Sequence, residues 1–256
     1  MTDADLSTLF ADLDRDCLPH LSVNGVVFGA HAGALQVLLI RWAAVGQWAL
    51  PGAYVRRDEG IDAAAARMVH EHVGLRDVAL RQFHTFGARD RVGAALAAGF
   101  RALGVEPPPA HWALGRVVSV GYVALVDASQ ARAEPPPARQ PLTPEYAWWD
   151  VAARPALMLD HDAMVDLALA SVRARLDDLP LGATLLAGAF TMSELQRLYE
   201  TVLGRPLDRR NFQKRILDLG LVDRLPDQRT GGRHRPPQLY RWAGRGTDVG
   251  GRRTSR

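Results

Sequence analysis

Residues 190–225 read FTMSELQRLYETVLGRPLDRRNFQKRILDLGLVDRL, and the punctuation of this stretch leaves it little conformational choice. Thr191 with Glu194 three positions later is a capping box: the hydroxyl and the carboxylate each take up a backbone N–H that an opening helix leaves unpaired. Leu195, Leu198, Tyr199 and Val202 then recur at helical spacing, and Gly204 stops the helix. Pro206 and Leu207 make a short turn, Asp208 opens a second helix and Gly220 ends it. In that second helix Phe212, Ile216, Leu217 and Leu219 are expected to face inward, leaving Arg209, Arg210, Gln213 and Lys214 outward. Two short strand patterns follow, 221–225 and 238–242, with the basic segment PDQRTGGRHRPP between them. A helix, a turn, a basic helix and a hairpin with a basic tip make the layout of a small winged helix-turn-helix domain.

Residue types at the start of the second helix suit base edges. Arginine pairs with guanine, and asparagine or glutamine with adenine, so Arg209, Arg210, Asn211 and Gln213 are candidates for reading a major groove, with Lys214 beside them. Arg229, Arg233, His234 and Arg235 on the wing are candidates for phosphate or minor-groove contact. The alternative is a helical dimerisation module with a solvated basic face. Charge distribution favours a nucleic-acid partner for this half: residues 1–180 carry 16 arginines against 21 acidic residues, whereas 181–256 carry 14 arginines and Lys214 against 7.

The front of the chain alternates strand and helix patterns. A leader helix is expected over 1–18, strands over 21–29 and 35–42, a helix over 61–73 between Gly60 and Gly74, and strands over 78–87, 116–126 and 145–151. A further amphipathic helix is expected over 160–176, with Met164, Leu167, Leu169, Val172 and Leu176 on one stripe. The fold class is therefore α+β: a mixed sheet flanked by helices, followed by the small winged helix. The expected divisions are 1–180, 181–242 and a basic, Gly/Arg-rich tail at 243–256 expected to be disordered. The segment 92–115, alanine-rich and then proline-rich, reads as a surface insertion. Cys17 is the only cysteine, which excludes an intrachain disulfide and a multi-cysteine zinc site and fits a reducing compartment. With neither a signal peptide nor an apolar run near 18 residues, a cytoplasmic protein without a membrane span is expected.

The stretch LPGAYVRRDEGIDAAAARMVHEHVGL (50–75) resembles the Nudix box. Glu59 stands at that pattern's first glutamate, Arg67 at its arginine, Val69 at an apolar site, Glu71 at one of its paired glutamates and Gly74-Leu75 at its end. Three positions depart: Ala53 replaces a glycine, and Met68 and His72 replace two helix glutamates. Cleaving a pyrophosphate asks for magnesium or manganese held by several oxygens. Positions 68 and 72 lie one helical turn apart on one face, with 71 at its border, and present a thioether and an imidazole beside a single carboxylate. No metal site and no efficient hydrolysis are therefore expected, so no catalytic residue is assigned. Met68 merely packing and His72 lying at the surface would remove the metal site equally well. The resemblance implies that the fold still binds a nucleotide. Its candidates are Trp48 and Gly52 for close approach, Arg41, Arg81, Arg91 and Arg116 for a diphosphate, and Phe83, Phe86 and Trp48 for stacking on a base.

Taken together, FTMSELQRLYETVLGRPLDRRNF and QLYRW at the back, with RQFHTFGARDR and RVVSVGYVAL at the front, resemble the NrtR family of Nudix-related transcriptional regulators over residues 20–242. That resemblance implies a homodimer that binds a palindromic double-stranded DNA operator, represses genes of NAD biosynthesis or salvage, and releases DNA on binding ADP-ribose or a related nucleotide. No cofactor is required on this reading. Asn24 and the insertion between Arg91 and Gly115 depart from the family and bear on the effector pocket. Two alternatives stay open: a Nudix hydrolase cleaving ADP-ribose or another nucleoside diphosphate derivative, and a sugar-responsive regulator of the same architecture.

Overall fold

The computed structural model describes residues 3–31, 34–42, 46–76, 78–89, 91, 101, 108, 111–128, 144–176, 186, 189–228 and 237–243. Two compact units emerge, one comprising Met1–His31 and Leu35–Ser171, the other running on from Val172. The division falls inside a helix, α3 (His161–Ala174). Most of the insertion 92–115, the wing tip 229–236 and the tail 244–256 lie outside the described residues.

The front unit opens with α1 (Asp3–Asp16) and runs straight into β1 (Cys17–His31), which starts four residues before the expected strand. The following strands are β2 (Ala34–Trp42), β3 (Trp48–Ala49) and β4 (Gly52–Arg56); then come α2 (Ile61–Val73), β5 (Arg81–Phe86), β6 (Val118–Asp127) and β7 (Pro144–Asp150). Among the described residues these seven strands form one mixed sheet ordered β3-β2-β1-β6-β5, with β4 on β1 and β7 on β2. β1 pairs in parallel with β6 from Leu21 opposite Val118 to Ala30 opposite Asp127. A central strand is covered on both faces, so its apolar residues run on without alternating, and Val23, Val26, Val27 and Phe28 are all fully buried. The strand expected over 78–87 is confined to β5, because residues 78–80 do not pair.

Helix α2 matches its expected bounds and ends at Gly74, whose φ of 72° is the left-handed conformation that a side chain would strain. Ala64, Ala65, Met68, Val69 and Val73 pack on the sheet with Val23, Val27, Val55 and Val120. The helix sits so close that a Cβ on Gly25 would come within 2.5 Å of the Met68 methyl. In α3 Met164, Leu169 and Val172 are buried as expected, as is Leu176 just past its end, but Leu167 is 45% exposed. Leu167 lies three residues from Met164 but two from Leu169, which turns it off the buried stripe.

The back unit contains β8 (Phe190–Thr191), α4 (Met192–Leu203), α5 (Arg209–Asp218), β9 (Val222–Gln228) and β10 (Gln238–Trp242). Its sheet is ordered β8-β10-β9, both pairs antiparallel. Thr191 and Glu194 form the complete capping box, and Gly204 closes α4 at φ 69°. Leu195, Leu198, Tyr199 and Val202 are buried on Phe212 and Ile216, with the Tyr199 and Phe212 rings edge to face at 5.1 Å. Two expectations fail here. Leu217 is 43% and Leu219 45% exposed. Leu217 is turned about 100° from buried Ile216, and Leu219 falls beyond Asp218, where the helix no longer carries it toward the core. No helix among the described residues is long and apolar enough to cross a membrane.

Candidate functional site

At the loop between β4 and α2 the box residues converge on one guanidinium. Arg67 donates to both Glu59 oxygens, at 3.0 and 2.6 Å, to Glu71 Oε2 at 3.1 Å and to the Tyr54 carbonyl at 3.0 Å. The Arg56 N–H also donates to Glu59, at 2.9 Å. The Arg67 hydrogen bond holds the Glu59 carboxyl below the usual carboxylate range, against a smaller opposing effect of burial. Met68 is wholly buried, with its thioether against Gly25. His72 is buried too, not at the surface; its Nδ1 lies 2.9 Å from the Tyr146 hydroxyl and its ring also bonds the Gly52 backbone. Burial pushes the imidazole pKa down, so the neutral ring is favoured. A hard divalent cation asks for several free oxygens. The box offers two carboxylates already bound by Arg67, a core thioether and a committed imidazole, which does not match that demand.

Of the effector candidates, the structure brings Arg41 and Trp48 together. The guanidinium lies 5.3 Å from the Trp48 ring centroid, and Arg41 Nε donates to Glu145 at 2.9 Å. Trp149 meets Trp48 edge to face at 5.5 Å. Gly52 leaves room for a side chain of the protein: a Cβ there would come within 2.6 Å of Asn24 Nδ2. Phe86 is buried and packs with Phe83 over Gly121, a core placement and not an open stacking face. Arg81 donates to Ser171 Oγ at 3.0 Å, and Arg116 to the Gly87 carbonyl at 2.8 Å. Arg91 is committed further. It forks onto both Asp160 oxygens at 2.8 and 2.9 Å and also bonds Ser119 Oγ at 2.7 Å and the Val117 carbonyl at 3.1 Å. As it stands, its fork is filled by the protein, and a diphosphate would have to displace Asp160.

Next to Asp160, His161 opens α3 and is buried; its Nδ1 accepts the Leu50 N–H at 3.0 Å, which requires the neutral ring. Burial pushes its pKa down to about 4. As pH falls through about 6.5 the unfolded chain takes up this proton while the folded chain does not until about pH 4, so stability drains over that window by about 3 kcal/mol. Urea titrations from about pH 7 to about pH 5 are therefore expected to show a falling midpoint, with a shallower fall in His161→Gln. A flat wild-type midpoint over that interval is the contrary result.

In the back unit, Asp208 caps α5 by accepting the Asn211 N–H at 2.9 Å, which fixes where the helix begins. Arg209, Arg210, Asn211 and Lys214 are exposed and Gln213 is half-buried. Arg209, Arg210 and Lys214 form no ion pair among the described residues, so a line of cationic side chains faces outward. Arg229, Arg233, His234 and Arg235 lie outside the described residues.

Residues 182–242 match the model of the NrtR DNA-binding winged helix domain. The back unit is therefore NrtR-like. A protein of Acinetobacter baylyi named as an ADPR-responsive transcriptional repressor is 28% identical over 233 residues, which cover 88% of this chain and 82% of that one. Shewanella oneidensis NrtR in complex with a 27mer DNA superposes with a TM-score of 0.66 at 24% identity, covering 87% of this chain and 93% of its own. A MutT/nudix family protein of Enterococcus faecalis gives 0.62 at 22% identity, with 88% of each chain covered. The mixed sheet of the front unit is thus a Nudix fold.

Two residues of the NrtR-like back unit escaped the reading of its sequence: Gln196 and Glu200. Both point from α4 to the turn before α5. Their i, i+4 spacing was a visible signal, but on an exposed helix face such a pair reads as an ordinary surface contact.

Proposed function

We propose that this NrtR-like chain is a DNA-binding transcriptional repressor whose front unit senses ADP-ribose or a related nucleotide without cleaving it. Its genes of control would be those of NAD biosynthesis or salvage, in the cytoplasm. The observation that carries the reading is the outward cationic face of α5 inside the segment that matches a DNA-binding domain. The Acinetobacter relative's name supports nucleotide sensing, and the Shewanella protein's complex supports DNA as partner. A homodimer reading a palindrome with half-sites about one helical turn apart would fit a winged helix carried once per chain. The donor set of the box supports the absence of efficient hydrolysis, since Met68 and His72 supply no oxygen and Glu59 and Glu71 are held by Arg67.

Fluorescence anisotropy with duplexes from the regions flanking the chain's own gene tests this. ADP-ribose is expected to weaken binding by about 5- to 150-fold, the range of ordinary coupling energies, and to be recovered intact in the presence of magnesium. Release of AMP that disappears in Glu71→Gln would instead favour the hydrolase reading. A response to a pentose but not to ADP-ribose would favour sugar control.

A further inference from the structure

The turn between α4 and α5 is held by side chains that the core does not use. Gln196 and Glu200 stand one helical turn apart on α4. The Leu207 N–H donates to Glu200 Oε1 at 2.8 Å. Gln196 Nε2 donates to the Leu207 carbonyl at 3.0 Å and to the same Glu200 oxygen at 2.9 Å. Both polar groups of one backbone residue are therefore gripped by one pair of side chains, and the two grips are tied to each other. Leu207 immediately precedes Asp208, the cap of α5. Its peptide is the last point at which the heading of α5 is set. Without the grip, that heading rests on Gly204, whose φ of 69° gives the turn a freely adjustable residue, and on Phe212 and Ile216 in the core.

We infer that Gln196 and Glu200 are positioning residues for DNA reading: they clamp the Leu207 peptide so that Arg209, Arg210 and Asn211 enter the groove at a fixed angle. This rests on the DNA-binding function proposed above. The physical basis is a difference in tolerance. A hydrogen bond to a base edge weakens steeply outside its distance and angle limits. Attraction to phosphate falls off slowly with distance and survives a tilted helix. Loosening the clamp therefore removes discrimination between sequences while leaving general DNA affinity in place. A purely structural role would lower stability and both affinities together.

The test uses the full chain, a duplex selected by the wild-type protein from a randomised library, and a scrambled duplex of the same composition. Glu200→Ala is expected to bind the selected duplex about tenfold more weakly, the loss of one charge-assisted hydrogen bond, and the scrambled duplex within about twofold of wild type. Its melting temperature should fall by no more than about 6 °C, the worth of that one hydrogen bond, while the Leu207 amide exchanges with solvent faster. Glu200→Gln keeps an oxygen that accepts the Leu207 N–H and should restore discrimination. A Glu200→Ala protein that discriminates as wild type does, or that loses both affinities equally, would overturn the clamp alone. A wild-type chain that selects no sequence at all would overturn the DNA-reading function, and the clamp with it.

Discussion

Arg91→Ala is expected to destabilise the front unit by about 3 kcal/mol, the lower end of the cost of removing one partner of a buried ion pair. The guanidinium side chain is 3% exposed and its partner Asp160 25% exposed. Truncation leaves a carboxylate that water only partly reaches, and it also takes a hydrogen bond from the Val117 carbonyl and one from Ser119 Oγ, which keeps its bond to Ser22 Oγ. At this size, 3 kcal/mol corresponds to a fall in melting temperature of roughly 6–12 °C. The effect carries a pH signature. Burial alone would raise the Asp160 carboxyl, but the Arg91 hydrogen bond and charge outweigh it and hold the group below its ordinary value. The pair thus stabilises the fold above the unfolded carboxylate range, near pH 3.9, and its contribution disappears as pH falls through the lower folded value. In Arg91→Ala burial is left to raise the carboxyl, so that acid-side dependence should reverse: the loss is greatest at neutral pH and shrinks as pH falls and Asp160 takes up its proton. Arg91→Lys should not rescue it, because an ammonium cannot reproduce the two-pronged contact. Denaturant midpoints at neutral pH decide the matter: a loss below about 1 kcal/mol would mean that Asp160 regains its water and the pair is dispensable.

Arg210→Ala should weaken binding to a specific operator by about 1–3 kcal/mol, about 5- to 150-fold, and relax preference at one base pair. Arg209→Ala should do the same at a neighbouring position. The expectation follows from placement: both side chains leave the capped end of α5, exposed, and no carboxylate among the described residues pairs with them. A wing substitution such as Arg233→Ala should behave differently, weakening all sequences alike and lowering the slope of log affinity against log salt by about one. Titrations at several salt concentrations against specific and random duplexes separate the two. Equal losses on both duplexes for Arg210→Ala would remove it from base reading.

Particular residues show where reading the sequence succeeds and stops. The Nudix-box departures could be judged in advance, because Met68 and His72 sit at fixed spacing on a helix whose caps are written beside it. Their fates could not. Met68 is drawn into the core because Gly25, 43 positions away in the chain, leaves a hollow beneath it, and His72 is held by Tyr146 from β7. Residue type alone marks Arg41, Arg81, Arg91 and Arg116 as partners for a diphosphate. The fold spends Arg91 on Asp160 and brings Arg41 against an aromatic ring.

The amino-acid order by itself determined the elements whose backbone groups are satisfied within a few residues. These are the capping box of Thr191 and Glu194, the Asp208 cap, and the left-handed stops at Gly74 and Gly204. These choices are local, since the competing partner is water and the winning partner is three or four residues away. Tertiary structure alone decided which arginines are spent, that Phe86 is core, that His161 must stay neutral on Leu50, and that Leu217 and Leu219 face outward. Each of those outcomes depends on a partner brought up from a distant part of the chain, or on where a helix ends against its neighbours. Side-chain chemistry lists the partners a residue accepts, and only packing selects among them.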